Sequence, residues 1–333
     1  MSAFRSKLAQ CTFDATITLH SLSAHSGLLG RSLARAALKA VLPILRVVGN
    51  DQAVVATVYG QSLAMPARHP LPATMALFPQ YNRPFGLAAE AIVHSSTSNA
   101  HLAVIDVGAN IGDTIAILEQ SCPARWHYLC IEPDPAIAEF CTANHADNDR
   151  VQVRQIFIGE DEGADVWLQD DGRANPSTKR QDIMDSQSQQ RDGKLVRLDT
   201  ASNCFATSYG TDLIKVDTEG YDFHVLRSGQ NLLRTYQPAL YFELFPKLLL
   251  EAMDSVEAGF NYLAGLGYRY FVFFTNRGDL YCTVTDPDHI FLRGLENIAG
   301  GTSPLLPYFD VFASVHKNVC DTLVEMNIDR AAK

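Results

Sequence analysis

Apolar positions recur at two different spacings along this chain, and the change from one to the other marks its organisation. Residues 31–48, RSLARAALKAVLPILRVV, space Leu33, Ala36, Ala37, Ala40, Val41 and Ile44 by threes and fours, which predicts an amphipathic helix. Pro43 is a kink point within it. Residues 1–30 are rich in Ser, Thr and Leu and show only weak patterning. Residues 54–59 and 62–65 flank Gly60 and Gln61 and predict a β-hairpin. The Pro-studded run up to Pro84 reads as loop, and residues 87–94 as helix.

From His101 onward, short apolar runs alternate with helical patterns. LAVIDV, HYLCIEP, VQVRQIFIG and ADVWLQ read as strands, followed by LVRL, DLIKVDT, PALYFELF, YRYFVFFT, LYCTVT and DVFASV. Helices are predicted over 112–120, 135–145, 222–234 and 255–266. Such alternation implies a doubly wound, mostly parallel sheet covered on both faces. Residues 169–194 carry no apolar period and predict a long loop, either a functional flap or a disordered segment. The chain divides into an N-terminal extension (1–50), a hairpin and linker (51–99), a main α/β domain (100–320) and a tail (321–333).

Composition narrows the class. The 333 residues are 47% hydrophobic and 19% charged, as in soluble globular proteins. A net charge of −10 argues against bulk nucleic-acid binding, which wants a basic face. The charge is uneven: residues 1–50 hold Arg5, Lys7, Arg31, Arg35, Lys39 and Arg46 against Asp14, a net +5 that leaves −15 elsewhere. Arg35, Lys39 and Arg46 lie off the apolar stripe of the 31–48 helix. That helix therefore suits packing on the domain, contact with a second subunit, or a weak membrane-surface contact. No apolar run reaches the ~18 residues of a membrane span. Seven scattered cysteines without a CxxC pair fit reduced thiols in a cytoplasmic protein better than a disulfide frame or metal cluster.

The candidate chemistry starts at VIDVGANIGDT, residues 104–114. In a doubly wound sheet, ligands lie beyond the carboxyl ends of the strands at the switch in strand order. Gly108, Ala109, Asn110 and Gly112 leave a ledge of nearly bare backbone there. A dinucleotide fingerprint counted from Gly108 would need glycines where Asn110 and Asp113 stand. Asp113 also sets a carboxylate where a pyrophosphate would sit. S-adenosylmethionine carries no phosphate, and its amino and sulfonium groups are positive, so Asp106 at the strand end becomes favourable. Glu132 ends the next strand, where one carboxylate can accept from both ribose hydroxyls. NAD makes the same demand, so the glycine pattern decides between them. Gly159, Glu160 and Asp161, after the third strand, are expected to face the adenine.

Three blocks, VIDVGANIGDT, CIEPDP and LIKVDTEGYDFHVLRSG (213–229), make the chain resemble the FkbM family of S-adenosylmethionine-dependent methyltransferases over about 100–245. The resemblance implies a class I methyltransferase fold, Rossmann-like, across 100–320. It also implies, in most members, O-methylation of a hydroxyl on a sugar, glycolipid or polyketide. The residues agree with it. Alternation puts Lys215 and Asp217 on one strand face, and Asp217 and Glu219 emerge at its carboxyl end. An alcohol is a poor nucleophile, so a base that takes its proton helps by ~10²–10⁴-fold. Asp217 or Glu219 is the candidate, Lys215 the partner that keeps Asp217 ionised, and His224 the reserve. Glu243, ending the next strand, can bind substrate hydroxyls or pair with Lys215. No metal is expected unless Asp217, Glu219 and Glu243 converge on Mg²⁺. The catalytic cysteine and (D/N)PPY motifs of nucleic-acid base methyltransferases are missing. The expected partner is thus a small-molecule, glycan or lipid-linked acceptor. A different acceptor, a nicotinamide oxidoreductase and an inactive binding subunit of the same fold remain as alternatives.

Overall fold

The computed structural model describes residues 2–48, 52–96, 101–169, 177–180, 192–299 and 306–331. Among them, an eight-stranded sheet forms the centre. From one edge its strands run Val151–Arg154, Trp126–Ile131, Leu102–Val107, Leu213–Val216, Ala239–Leu244, Phe309–Ser314, Tyr270–Thr275 and Leu280–Thr285. The first five are mutually parallel, whereas Phe309–Ser314 runs antiparallel between Ala239–Leu244 and Tyr270–Thr275. This is the doubly wound, mostly parallel sheet expected of a class I methyltransferase.

The central strand Leu102–Val107 is buried at all six positions. Its alternate side chains enter two separate cores, as the period of a strand requires. Ala103, Ile105 and Val107 join the cluster under the helices Leu198–Tyr209 and Val256–Gly265. Leu102 and Val104 join the one under Arg83–Ser95, Asp113–Ser121 and Lys317–Ala331. Residues 321–331, expected as a tail, lie in that last helix, and Arg330 pairs with Glu90.

Chain order reverses at Leu102–Val107: the strands that follow it lie on one side, and Leu213–Val216 returns on the other. A crevice opens there, at the carboxyl ends.

Several local expectations need correction. Residues 2–25 form a helix, Ser2–His25, despite their weak pattern. Thr12, Thr16 and Thr18 each donate to a carbonyl four residues back, so the hydroxyls are satisfied inside the helix. The Pro-studded run contains the helix Leu71–Leu77, with Pro72 in the first turn, where its missing N–H costs nothing. The helix expected over 222–234 divides at Gly229 into Asp222–Ser228 and Gln230–Tyr236. A side chain at Gly229 would press on Leu198, at 2.9 Å. Within the polar stretch 169–194, Ser177–Arg180 is a strand paired with Asp165–Gln169, which also pairs with Asp192–Val196. The rest of that stretch lies outside the described residues.

Candidate active site

The ledge is built by backbone geometry. Gly108, Asn110 and Gly112 all have positive φ, at 83°, 49° and 84°. Gly108 is required outright: a Cβ there would stand 2.0 Å from the Asp217 carbonyl oxygen, so two strand-end loops meet with no side chain between them. The Gly108 and Ala109 N–H groups donate to the Ile131 carbonyl at 2.9 and 3.1 Å, tying the ledge to the neighbouring strand. Glu132 grips it from the other side. One Glu132 oxygen accepts from the Asn110 N–H at 3.0 Å, and the other from the Asp134 N–H at 2.9 Å. Asp134 in turn caps the helix Pro135–Asn144. His69 Nε2 donates to Asn110 Oδ1 at 2.9 Å. Burial pushes the His69 pKa down to about 4, so the ring is neutral at ordinary pH.

A cleft of about 330 Å³ lies above the ledge. Gly108, Asn110, Asp113 and Glu132 form one side, and His69, Leu71, Thr74 and Tyr81 the facing wall. Lys215, Asp217, Glu219 and Glu243 border its inner end, with Phe245 and Tyr308 beyond. Lys215 Nζ lies 3.1 Å from Asp106 Oδ1, 3.6 Å from Asp217 Oδ2 and 3.5 Å from the Gly108 carbonyl. Burial opposes its charge, but Asp106, Asp217 and Asp113 together outweigh that and raise its pKa. Burial raises the Asp113 carboxyl to about 6 and Glu132 to about 7.

Glu243 and Asp310 are cross-strand partners at the inner end, and a small pocket shared with Tyr81, Tyr241 and Tyr308 continues the cleft there. Burial, reinforced by Asp217, pushes Asp310 up to about 8 and Glu243 well above the ordinary carboxyl range. Asp310 therefore holds its proton at neutral pH, and burial favours the protonated form of Glu243. One Glu243 oxygen and the Tyr241 hydroxyl are buried without a hydrogen-bond partner.

The expected site residues divide. Gly108, Asn110, Asp113, Glu132, Lys215, Asp217, Glu219 and Glu243 meet around the cleft. Asp106 does not line it; its side chain is 2% exposed and spent on Lys215, through which it acts. Ala109 and Gly112 lie under the ledge, where Gly112 gives its carbonyl to His145. Gly159, Glu160 and Asp161 stand apart from the cleft lining. Glu160 accepts from His224 and from Arg227, each at 2.8 Å, and Arg227 also binds Asp254. Burial would raise the Glu160 pKa, but these two partners lower it. Glu160, expected to face the adenine, and His224, the reserve base, are thus partners of one another away from the residues lining the cleft. Asp217, Glu219 and Glu243 share a border but hold no metal cage: no group of three ligating side chains occurs among the described residues.

Sequence reasoning did not place His69, Tyr81, Tyr308 and Asp310 at the cleft and its inner pocket. The Asp310 position in DVFASV was legible as a strand start, but nothing in the sequence signals that this strand inserts beside Ala239–Leu244.

Residues 106–270 match the family model described as the methyltransferase FkbM domain. No curated protein matches the chain. Among solved structures, a methyltransferase FkbM from Methylobacillus flagellatus KT is 16% identical, with 82% of this chain and 58% of that one covered, at a TM-score of 0.39. The METTL16 MTase domain is 12% identical over 77% of this chain and 73% of its own, at 0.42. The N-terminal domain of human METTL16 in complex with SAH is 12% identical over 78% and 77%, at 0.38.

Proposed function

We propose that this chain, whose residues 106–270 match the methyltransferase FkbM domain model, transfers the methyl group of S-adenosylmethionine to a hydroxyl of a sugar, glycolipid or secondary metabolite. One observation carries the reading: the charge of the cleft. Asp217 and Glu219 border it, Asp113 and Glu132 add charge as pH rises through about 6 and 7, the Lys215 charge is committed to Asp106 and Asp217, and His69 is neutral. A cationic sulfonium nucleoside suits such a surface, whereas a pyrophosphate would meet Asp113 at the helix start. That disfavours a nicotinamide dinucleotide.

The residues fit the cofactor in detail. The Gly108–Asn110 backbone would lie along its methionine part. Both Glu132 oxygens already accept one backbone N–H, and each keeps a further lone pair for a ribose hydroxyl. Bound there, S-adenosylmethionine supplies an electrophilic methyl group. The protein's own work is to orient the acceptor and take its proton. Asp217 is suited to the base role because it lines the cleft and faces a cation. Glu243, whose protonated form burial favours, is suited to donate a hydrogen bond to an acceptor oxygen. Two carboxyls thereby divide acid and base roles according to their surroundings.

Calorimetry tests the reading. Binding of S-adenosylhomocysteine without binding of NADH is expected, followed by label transfer from S-adenosylmethionine to a hydroxylated acceptor. Tight NADH binding with no response to S-adenosylhomocysteine would overturn it.

A further inference from the structure

The helix Leu28–Val48 turns only one side to the rest of the protein. Ala34, Leu38 and Leu45 are buried, and the helix packs along Ser2–His25. A second apolar row, Leu29, Leu33, Ala36, Ala40, Ile44 and Val47, is exposed. Leu29 is 82% exposed, Leu33 and Val47 71%, and Ile44 49%. At about 100° per residue this row falls on the face opposite the buried one. A third row, Arg31, Arg35 and Lys39, spaced by fours and exposed, follows one flank. The helix contains no Asp or Glu.

We propose that this face docks on an anionic lipid bilayer, the apolar row entering the headgroup–acyl boundary and the basic row meeting lipid phosphates. An amphipathic helix with an aliphatic face and a cationic flank lies in that interface. Among the described residues no helix is long and apolar enough to cross the membrane, so the helix lies on the surface. Charge complementarity argues for this occupant: the helix offers Arg31, Arg35 and Lys39 with no acid of its own to pair them, and lipid phosphates can. Charge also orients the docking: residues 1–50 carry +5 and the remainder −15, so an anionic surface attracts the helix pair and repels the rest.

Docking there holds one cleft wall near the bilayer. Helix Ser2–His25 packs on Leu71–Leu77, His25 Nε2 meets the Ala76 carbonyl at 3.1 Å, and Leu71 and Thr74 line the cleft. A lipid-linked acceptor would suit that placement, a consequence that rests on the methyl-transfer reading; the docking itself does not.

Vesicle flotation of the full chain tests the proposal, with phosphatidylcholine alone against equal parts phosphatidylcholine and phosphatidylglycerol. Flotation with the anionic vesicles only, weakened by salt, is expected. L29S/L33S and R35E/K39E should each lower binding by roughly tenfold or more, because apolar insertion and charge both contribute. All four side chains are exposed, so the fold should survive, and unchanged S-adenosylhomocysteine binding by both variants checks this. Equal binding to both vesicle types, or to neither, overturns the proposal. So does a dimer that L29S/L33S converts to monomer, which would make the row a seam between copies. Failure of the wild-type chain to bind S-adenosylhomocysteine would count against the cofactor reading alone.

Discussion

Lys215 Nζ sits 3.1 Å from Asp106 Oδ1 beneath the ledge, and the two side chains are 12% and 2% exposed. They occupy matched positions on adjacent parallel strands, so the sheet register itself creates the pair. Removing one partner of a buried pair leaves an uncompensated charge, at a cost of about 3–5 kcal/mol. K215M should therefore destabilise the protein by that order in urea unfolding. D106N/K215M, which removes both charges, should recover a large part of the loss. Equal destabilisation in the single and double variants would show that the pair is not what holds this region.

The raised carboxyls set a pH dependence with a definite sign. In the folded protein, burial holds protons on Asp113 up to about pH 6, Glu132 to about 7 and Asp310 to about 8. The unfolded chain releases the same protons near pH 4. On these carboxyls the fold binds more protons across that window, while His69, held at about 4, opposes them up to about pH 6.5. Stability should therefore fall most clearly as pH rises from about 6.5 towards 8, then level off. Each whole proton contributes a slope of about 1.4 kcal/mol per pH unit. A ligand that needs Glu132 ionised should bind more tightly as pH rises through about 7. Urea midpoints across the series, with and without S-adenosylmethionine, check both trends. A midpoint that climbs with pH above about 6.5 in the free protein would contradict the assignment.

The division of labour between Asp217 and Glu243 predicts unequal variants. D217N should lower kcat by ~10²–10⁴-fold and leave S-adenosylhomocysteine affinity nearly unchanged. E243Q replaces a protonated carboxyl by a neutral amide of the same shape, so its loss should stay within about tenfold, since a hydrogen-bond donor remains. Reversed magnitudes in steady-state kinetics would exchange the two roles.

The sheet and the ledge were legible because each rests on a local rule. LAVIDV is apolar at every position but Asp106 because both faces of its strand are covered, and the small residues after it are those a close backbone crossing demands. Lys215, Asp217 and Glu132 were legible because a strand end fixes where its last side chains emerge. The cleft wall from 69 to 82 was not. His69 is recognisable only through Asn110, forty-one positions away in the chain, and a lone histidine between Arg68 and Pro70 carries no such signal. Glu160 misled for the related reason that its partners, His224 and Arg227, come from a distant helix. Ser2–His25 escaped because its threonines bond their own helix, which gives no hydrophobic period to read.

Asn144 is the fastening between the N-terminal hairpin and the sheet domain. Its Oδ1 accepts from the Ala64 N–H at 2.7 Å, while its Nδ2 donates to the carbonyls of Ala64 at 2.9 Å and Ile111 at 3.0 Å. One amide thus completes the edge of the strand Gln61–Pro66 and reaches into the ledge turn itself. The wall bearing His69 and Tyr81 follows directly from that strand, so its position depends on this link. N144A strands three backbone groups and should cost about 1–3 kcal/mol in urea unfolding. It should also weaken S-adenosylhomocysteine binding, because His69 and Asn110 lose their fixed separation. N144D keeps the acceptor but sets a carboxylate oxygen against the Ala64 and Ile111 carbonyls, so it should cost at least as much as N144A in both measurements. If N144A binds S-adenosylhomocysteine as wild type does, the hairpin wall is held in place without this link.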